Sequence, residues 1–166
     1  QVNPGYARLQ QGRMHMAKRE SPDIARLREQ AEAGNSGAQY DLGCIYYEGK
    51  GVARDYAEAL KWYKKSAAQG NNSGLCDLAY CYRNGTGVPR NYAKAIPLYS
   101  RAANQGCPTG AFWLGHAYEH GEGVPKDIEK AIHWYEVSSG RGDSDAAEAI
   151  RRLAAEAAGK KRRKSP

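Results

Sequence analysis

The chain has 166 residues, a net charge of +7 and 26% charged residues, which is long enough for one domain with a hydrophobic core. No run of about 18 apolar residues occurs, so the sequence predicts no membrane insertion. Residues 34–142 carry twelve Lys/Arg against ten Asp/Glu, too even a balance for a nucleic-acid groove.

The first 33 residues are only partly periodic. Residues 1–20 are predicted to be an N-terminal extension or a degenerate first helix. Residues 21–34, SPDIARLREQAEAG, align with a helix that recurs later in the chain, Ile24 with Leu60 and Ala31 with Ala67. They are predicted to form the second helix of a degenerate capping repeat.

The centre of the chain repeats without gaps. The stretch YYEGKGVARDYAEALKWY at 46–63 recurs 36 residues later as YRNGTGVPRNYAKAIPLY and again as YEHGEGVPKDIEKAIHWY, at 82–99 and 118–135. A fixed period of this length is typical of repeat architectures. It predicts three units at 35–70, 71–106 and 107–142.

Each unit contains two amphipathic helical patterns. In the first unit, these are Ala38, Leu42 and Tyr46, then Ala59 and Tyr63, each at a spacing of four residues. Predicted N-caps precede the second helix, and glycines in the left-handed conformation are predicted to follow it: Asp55, Asn91 and Asp127; Gly34, Gly70, Gly106 and Gly142. A single pair cannot bury its apolar face, so the units are predicted to stack.

Beyond Gly142 the pattern weakens. Residues 143–158 are predicted to form a C-terminal capping helix, in which Arg151 replaces a small residue. Residues 159–166 are predicted to be a basic disordered tail. Its cations could alternatively engage an import receptor or a polyanion: Lys160, Lys161, Arg162, Arg163 and Lys164.

The stretch AQYDLGCIYYEGKGVARDYAEALKWYKKSAAQG, Ala38 to Gly70, and its two copies resemble Sel-1-like repeats, which are related to tetratricopeptide repeats. The resemblance implies an all-α fold, an α/α solenoid in which antiparallel helix pairs form a right-handed superhelix. It further implies a non-catalytic adaptor or scaffold whose partner is another protein.

Two motifs suggest chemistry. The glycines at 49 and 51 resemble a phosphate loop, but no strand precedes them, and Lys50 becomes Thr86 and Glu122 in the other units. The segment HAYEH, 116–120, matches a zinc-peptidase pattern, but these positions vary between units and no third ligand is evident. We therefore predict no cofactor, no metal site and no catalytic residues.

In tetratricopeptide units the first helix lines the concave groove. Carried over by alignment, this geometry implies a surface rich in aromatic and charged residues, a composition that suits protein binding. Its predicted residues are Tyr40, Cys44, Tyr47, Glu48, Cys76, Tyr80, Arg83, Asn84, Phe112, His116, Glu119 and His120. For each aromatic residue, packing between units is the alternative interpretation.

The predicted function is a protein-interaction module that holds a peptide or a partner helix in this groove. The alternatives are a repeat domain that regulates, or is attached to, a catalytic domain outside these residues, and a zinc hydrolase using HAYEH. Four cysteines without a disulfide pattern favour an intracellular, reducing compartment. The basic tail would also suit the nucleus, and a secretory or periplasmic location stays open.

Overall fold

The computed structural model describes residues 21–164, with side chains to residue 159. Within these residues the chain is all-α and contains no strand, which confirms the predicted fold class. None of the described helices combines the length and hydropathy of a membrane span. The prediction for residues 1–20 lies outside the described residues. The helices are α1 Pro22–Glu32, α2 Ser36–Glu48, α3 Tyr56–Ala68, α4 Asn72–Asn84, α5 Tyr92–Asn104, α6 Pro108–His120, α7 Ile128–Ser139 and α8 Ser144–Lys164.

The helices pack mainly on their neighbours in the sequence, from α1 on α2 through to α7 on α8. The pairs α2–α3, α4–α5 and α6–α7 correspond to the three repeats. In each pair one backbone hydrogen bond closes the loop. It runs from Asp55 N to Tyr46 O (2.9 Å), from Asn91 N to Tyr82 O (2.7 Å) and from Asp127 N to Tyr118 O (2.9 Å). The result is a solenoid whose units share one geometry.

The predicted helix signals act as expected. The side chains of Asp55, Asn91 and Asp127 accept hydrogen bonds from the first turn of α3, α5 and α7. This satisfies backbone N–H groups that lack a partner within the helix. The glycines that follow α1, α3, α5 and α7 all have positive φ, between 84° and 97°. Both ends of the second helix of each unit are thus specified locally.

Small residues let buried tyrosines lie against the neighbouring helix. A Cβ at Gly43 would come within 2.6 Å of the Tyr63 ring, and one at Gly115 within 2.7 Å of the Tyr135 ring. Both rings are 1–2% exposed. The equivalent position in the middle unit is Ala79, which is also fully buried. The first helix of each unit therefore packs on a buried tyrosine of the second helix.

The last helix extends beyond its predicted end. α8 continues to Lys164, whereas the sequence prediction ended it at residue 158 and left 159–166 disordered. Residues 154–164, AAEAAGKKRRK, consist almost entirely of strong helix formers. Gly159 does not adopt a positive φ and so does not terminate the helix. The helix propensity of these residues thus continues the helix through the basic run that the sequence prediction assigned to a disordered tail.

Candidate partner-binding surface

A cavity of about 340 Å³ lies between α2 and α4. Its lining includes five residues of the predicted surface: Tyr40, Cys44, Tyr47, Glu48 and Tyr80. Those on α2 recur at spacings of three and four residues, which places them on one face of the helix. The buried Tyr63 of α3 and two residues of α4, Asp77 and Cys81, complete the lining.

The walls of this cavity are largely aromatic. The Tyr63 ring lies 5.9 Å from the Tyr40 ring and 6.4 Å from the Tyr47 ring, centroid to centroid. Tyr47 also makes an edge contact with Tyr56 at 5.2 Å. Tyr80 is 39% exposed, more than any other large hydrophobic residue among those that the structure describes. Rings that pack on one another in this way offer a rigid surface to a ligand.

The polar groups in the cavity are thiols and phenols beside two carboxylates, those of Glu48 and Asp77. Tyr63 donates a hydrogen bond to Cys44 Sγ at 3.6 Å. Burial raises the pKa of the Cys44 thiol and raises that of Cys81 to about 12. These thiols stay protonated at neutral pH, which is the opposite of an activated nucleophile. Burial also raises the pKa of Asp77, against a hydrogen bond from Tyr40 that lowers it.

The equivalent cleft between α4 and α6 is filled by the protein's own arginine. Arg83 Nε lies 3.0 Å from Glu122 Oε2, and its guanidinium stacks 4.3 Å from the centre of the Trp113 ring. It also donates to Nδ1 of His116 at 3.3 Å and to Oδ1 of the adjacent Asn84. Only 16% of the Arg83 side chain is exposed. Most of this predicted surface residue therefore contacts the protein itself.

Other predicted surface residues are also engaged within the fold. Cys76 is buried, with its Sγ atom 3.5 Å from Sγ of the half-buried Cys107. Phe112 is half-buried, with its ring 5.2 Å from Trp113 and 5.5 Å from Tyr135. Both positions favour packing over partner contact.

The two histidines of HAYEH lie side by side, with ring centroids 4.1 Å apart. His120 Nδ1 donates to the backbone carbonyl of His116 at 3.0 Å, and Arg83 occupies the Nδ1 side of His116. Burial, followed by the nearby His120 and Arg83, lowers the pKa of His116. Among the described residues no group of three or more potential metal ligands is present.

Glu119, the carboxylate of the same motif, is buried and paired. It accepts a hydrogen bond from Tyr135 at 2.8 Å and two from Arg152 of α8 at 2.7 and 2.9 Å. Burial raises the pKa of the Glu119 carboxyl, but the hydrogen bonds from Arg152 and Tyr135 outweigh burial and hold the pKa below its usual value. Its position therefore links the third unit to the capping helix.

This pairing predicts a pH-dependent stability. The folded pKa of Glu119 is depressed, so its contribution is complete above the unfolded value of about 4.3 and is lost as the pH falls through the folded pKa. Glu119→Gln should lower the free energy of unfolding by about 1–2 kcal/mol at pH 7, because it weakens charge-assisted hydrogen bonds to a half-exposed arginine. The difference from wild type should shrink below pH 4 in urea titrations.

Glu156→Gln is the matched control for this prediction. Glu156 pairs with the same arginine at 3.3 Å, but its side chain is 52% exposed. An exposed pair is worth about 0.5 kcal/mol or less. Equal losses for the two variants at pH 7, or a gap for Glu119→Gln that persists at pH 3, would contradict a role for the buried carboxylate.

Sequence reasoning missed two residues that shape the clefts. Asp77 lines the cavity between α2 and α4, and Trp113 supports Arg83 in the next cleft. They occupy the same repeat position, 36 residues apart, and directly follow the predicted surface residues Cys76 and Phe112. A shift of one position in the carried-over alignment would have found them.

Three stretches of the chain, residues 36–71, 73–107 and 108–143, match the family model for the Sel1 repeat. Part of the chain is 46% identical over 48 residues to the ERAD-associated E3 ubiquitin-protein ligase component HRD3B of Arabidopsis thaliana. That match covers 28% of this chain and 8% of the plant protein.

Solved structures show the same architecture. A Sel1 repeat protein from Oxalobacter formigenes is 32% identical with a TM-score of 0.72, and the match covers 78% of this chain and 98% of that one. A protective antigen of uropathogenic Escherichia coli with an SLR fold is 37% identical with a TM-score of 0.71, over 72% of this chain and 26% of the antigen. Helicobacter pylori cysteine-rich protein B, 21% identical with a TM-score of 0.63 over 76% of this chain and 94% of its own, shares the fold.

The chain thus spans about a quarter of the antigen and less than a tenth of HRD3B. The three family matches together include well over half of its residues, and they coincide with the helix pairs α2–α3, α4–α5 and α6–α7. The chain belongs to the Sel1 repeat family.

Proposed function

We propose that this chain is a non-catalytic protein-binding module that holds a peptide or a helix of its partner along the first helices of its repeats. Sel1 repeats are commonly protein-interaction modules. The observation that carries the proposal is the aromatic cavity between α2 and α4, in which Tyr80 is the most exposed of the lining rings. Exposed tyrosines on a rigid scaffold are frequent anchors in protein interfaces.

The chemistry of the surface supports binding rather than catalysis. The thiols nearest to the cavity have raised pKa values, and neither Cys44 nor Cys81 has a histidine among its described hydrogen-bond partners. The histidines at 116 and 120 each use a ring nitrogen within the fold. Rigid helices whose thiols are protonated and whose histidines are hydrogen-bonded within the fold suit a recognition surface.

The test starts by immobilising the full chain and identifying by mass spectrometry what it retains from extracts of its source. Dissociation constants for that partner are then measured with wild type, Tyr80→Ala and Phe112→Ala. We expect Tyr80→Ala to weaken binding by about tenfold or more, as for an aromatic anchor. Phe112→Ala should have a smaller effect, because this ring is half-buried in the fold.

Ile128→Ala is the matched control, since Ile128 is 37% exposed but lies at the start of α7, away from the cavity. Circular dichroism must show unchanged helicity for all three variants. Wild-type affinity for Tyr80→Ala together with reduced affinity for Ile128→Ala would place the interface on another face and overturn the proposal.

A further inference from the structure

The two clefts between consecutive first helices are equivalent in the repeat but differ in what fills them. In the cleft between α4 and α6, the Arg83 guanidinium lies over the Trp113 ring and pairs with the Glu122 carboxylate. The other cleft, between α2 and α4, has no such side chain, because Tyr47 stands where the next unit has Arg83. Instead it contains the cavity of about 340 Å³.

This cavity retains the two features that hold a guanidinium in the other cleft. Tyr40, Tyr47 and Tyr80 supply aromatic faces, which attract a cation within about 6 Å. Asp77 supplies a carboxylate from the helix position that Trp113 occupies one unit later. The aspartate replaces the tryptophan, and tyrosines at other repeat positions supply the aromatic faces, so aromatic rings and a carboxylate again occur together.

The carboxylate has no cation of its own among the described residues. Asp77 takes part in no salt bridge there. The residues that line the cavity include no lysine or arginine. The nearby Lys50 pairs with Glu48 at the exposed rim, where 74% of the lysine side chain is accessible. A half-buried carboxylate without a counterion is costly unless a cation reaches it.

We propose that the cavity between α2 and α4 binds an arginine side chain of the partner protein, which stacks on the tyrosines and pairs with Asp77. A guanidinium suits both contacts, since it is planar and presents a fork of donors to a carboxylate. Arginine is preferred to lysine because the protein's own Arg83 makes this arrangement one unit later. This inference rests on the proposed function and names what the surface recognises.

The test is an NMR titration of the full chain with Nα-acetyl-arginine amide, followed through backbone amide shifts. The Nα-acetyl amide of citrulline is the control ligand, because it has nearly the same shape without the charge. We expect arginine to shift the amides around Tyr40, Asp77 and Tyr80, with an affinity that falls as salt rises. Citrulline should bind about tenfold more weakly or not at all, because the charge-assisted hydrogen bonds are lost.

Asp77→Asn is the decisive variant, and Asp41→Asn is its matched control. Asp41 is the exposed residue at the same position of the preceding unit. Asp77→Asn should weaken arginine binding by about tenfold, with helicity and midpoint of unfolding retained, whereas Asp41→Asn should bind as wild type does. Equal affinity for Asp77→Asn, or equal affinity for citrulline, would overturn the proposal. Tighter binding of the corresponding lysine derivative would overturn the assignment to arginine.

These outcomes are separable from the test of the proposed function. If arginine fails to bind but the retained partner still depends on Tyr80, the surface binds protein and the arginine assignment is wrong. If arginine binds and no partner depends on Tyr80, the cavity is a cation site and the proposed function is wrong.

Discussion

Replacing Tyr99 with alanine should lower the free energy of unfolding by about 3–5 kcal/mol, the cost of emptying a large buried aromatic site. Tyr99 is 1% exposed and packs with Ala79 and Ala95 of the middle unit and with Leu114 of the third. The cavity would lie at the centre of the stack. Helices pack on both sides of it there, so they cannot move inward to fill it. Urea denaturation followed by circular dichroism measures the loss.

The phenylalanine variants give this prediction its sharpest form. Among the described residues the buried Tyr99 hydroxyl has no hydrogen-bond partner, whereas the equivalent Tyr135 hydroxyl donates to Glu119 at 2.8 Å. Tyr99→Phe should therefore leave stability unchanged or raise it slightly, while Tyr135→Phe should cost about 1–2 kcal/mol. Equal losses for the two variants would show that the Tyr99 hydroxyl is satisfied in solution.

Replacing Pro97 with lysine should raise the free energy of unfolding by up to about 3 kcal/mol. Pro97 is exposed and lies six residues into α5, where it removes a helical hydrogen bond and crowds the preceding turn. The other two units have Lys61 and His133 at this position. The midpoint of urea denaturation should therefore rise with an unchanged slope.

The reverse exchange is the control for this prediction. Lys61→Pro places proline at the equivalent exposed position of α3 and should cost about 3 kcal/mol or more. If Pro97→Lys left the midpoint unchanged while Lys61→Pro lowered it, α5 would have to accommodate proline through a distortion that costs nothing. The helical interior of α5 would then not be regular in solution.

The sequence predicted the scaffold well because the information that specifies it is local and repeated. Each unit has its own local signals, which do not depend on distant residues. In the first unit, Asp55 caps the second helix, Gly70 follows it with a positive φ, and the small Gly43 leaves room for a buried tyrosine. A signal that recurs three times at a fixed spacing is hard to misread. The helix pairs and their stacking follow from it.

The candidate partner-binding surface was harder to predict because the residue at one repeat position lies in a different environment in each of the three units. Tyr47 lines the cavity, Arg83 pairs with Glu122, and Glu119 is buried beneath Arg152. Each of these environments depends on a variable residue in another unit or in the capping helix. Periodicity identifies the position but not its partner, so Asp77 and Trp113 were recognised only in the structure.

The order in which the helices pack has a consequence for synthesis. The main interhelical contacts join segments that follow one another in the chain, and each loop is closed by a hydrogen bond that spans nine residues. A polypeptide with such short-range contacts folds rapidly and in succession. A newly made helix pair can dock on its predecessor while the ribosome is still translating the next one, so an incomplete chain exposes little more than its growing end.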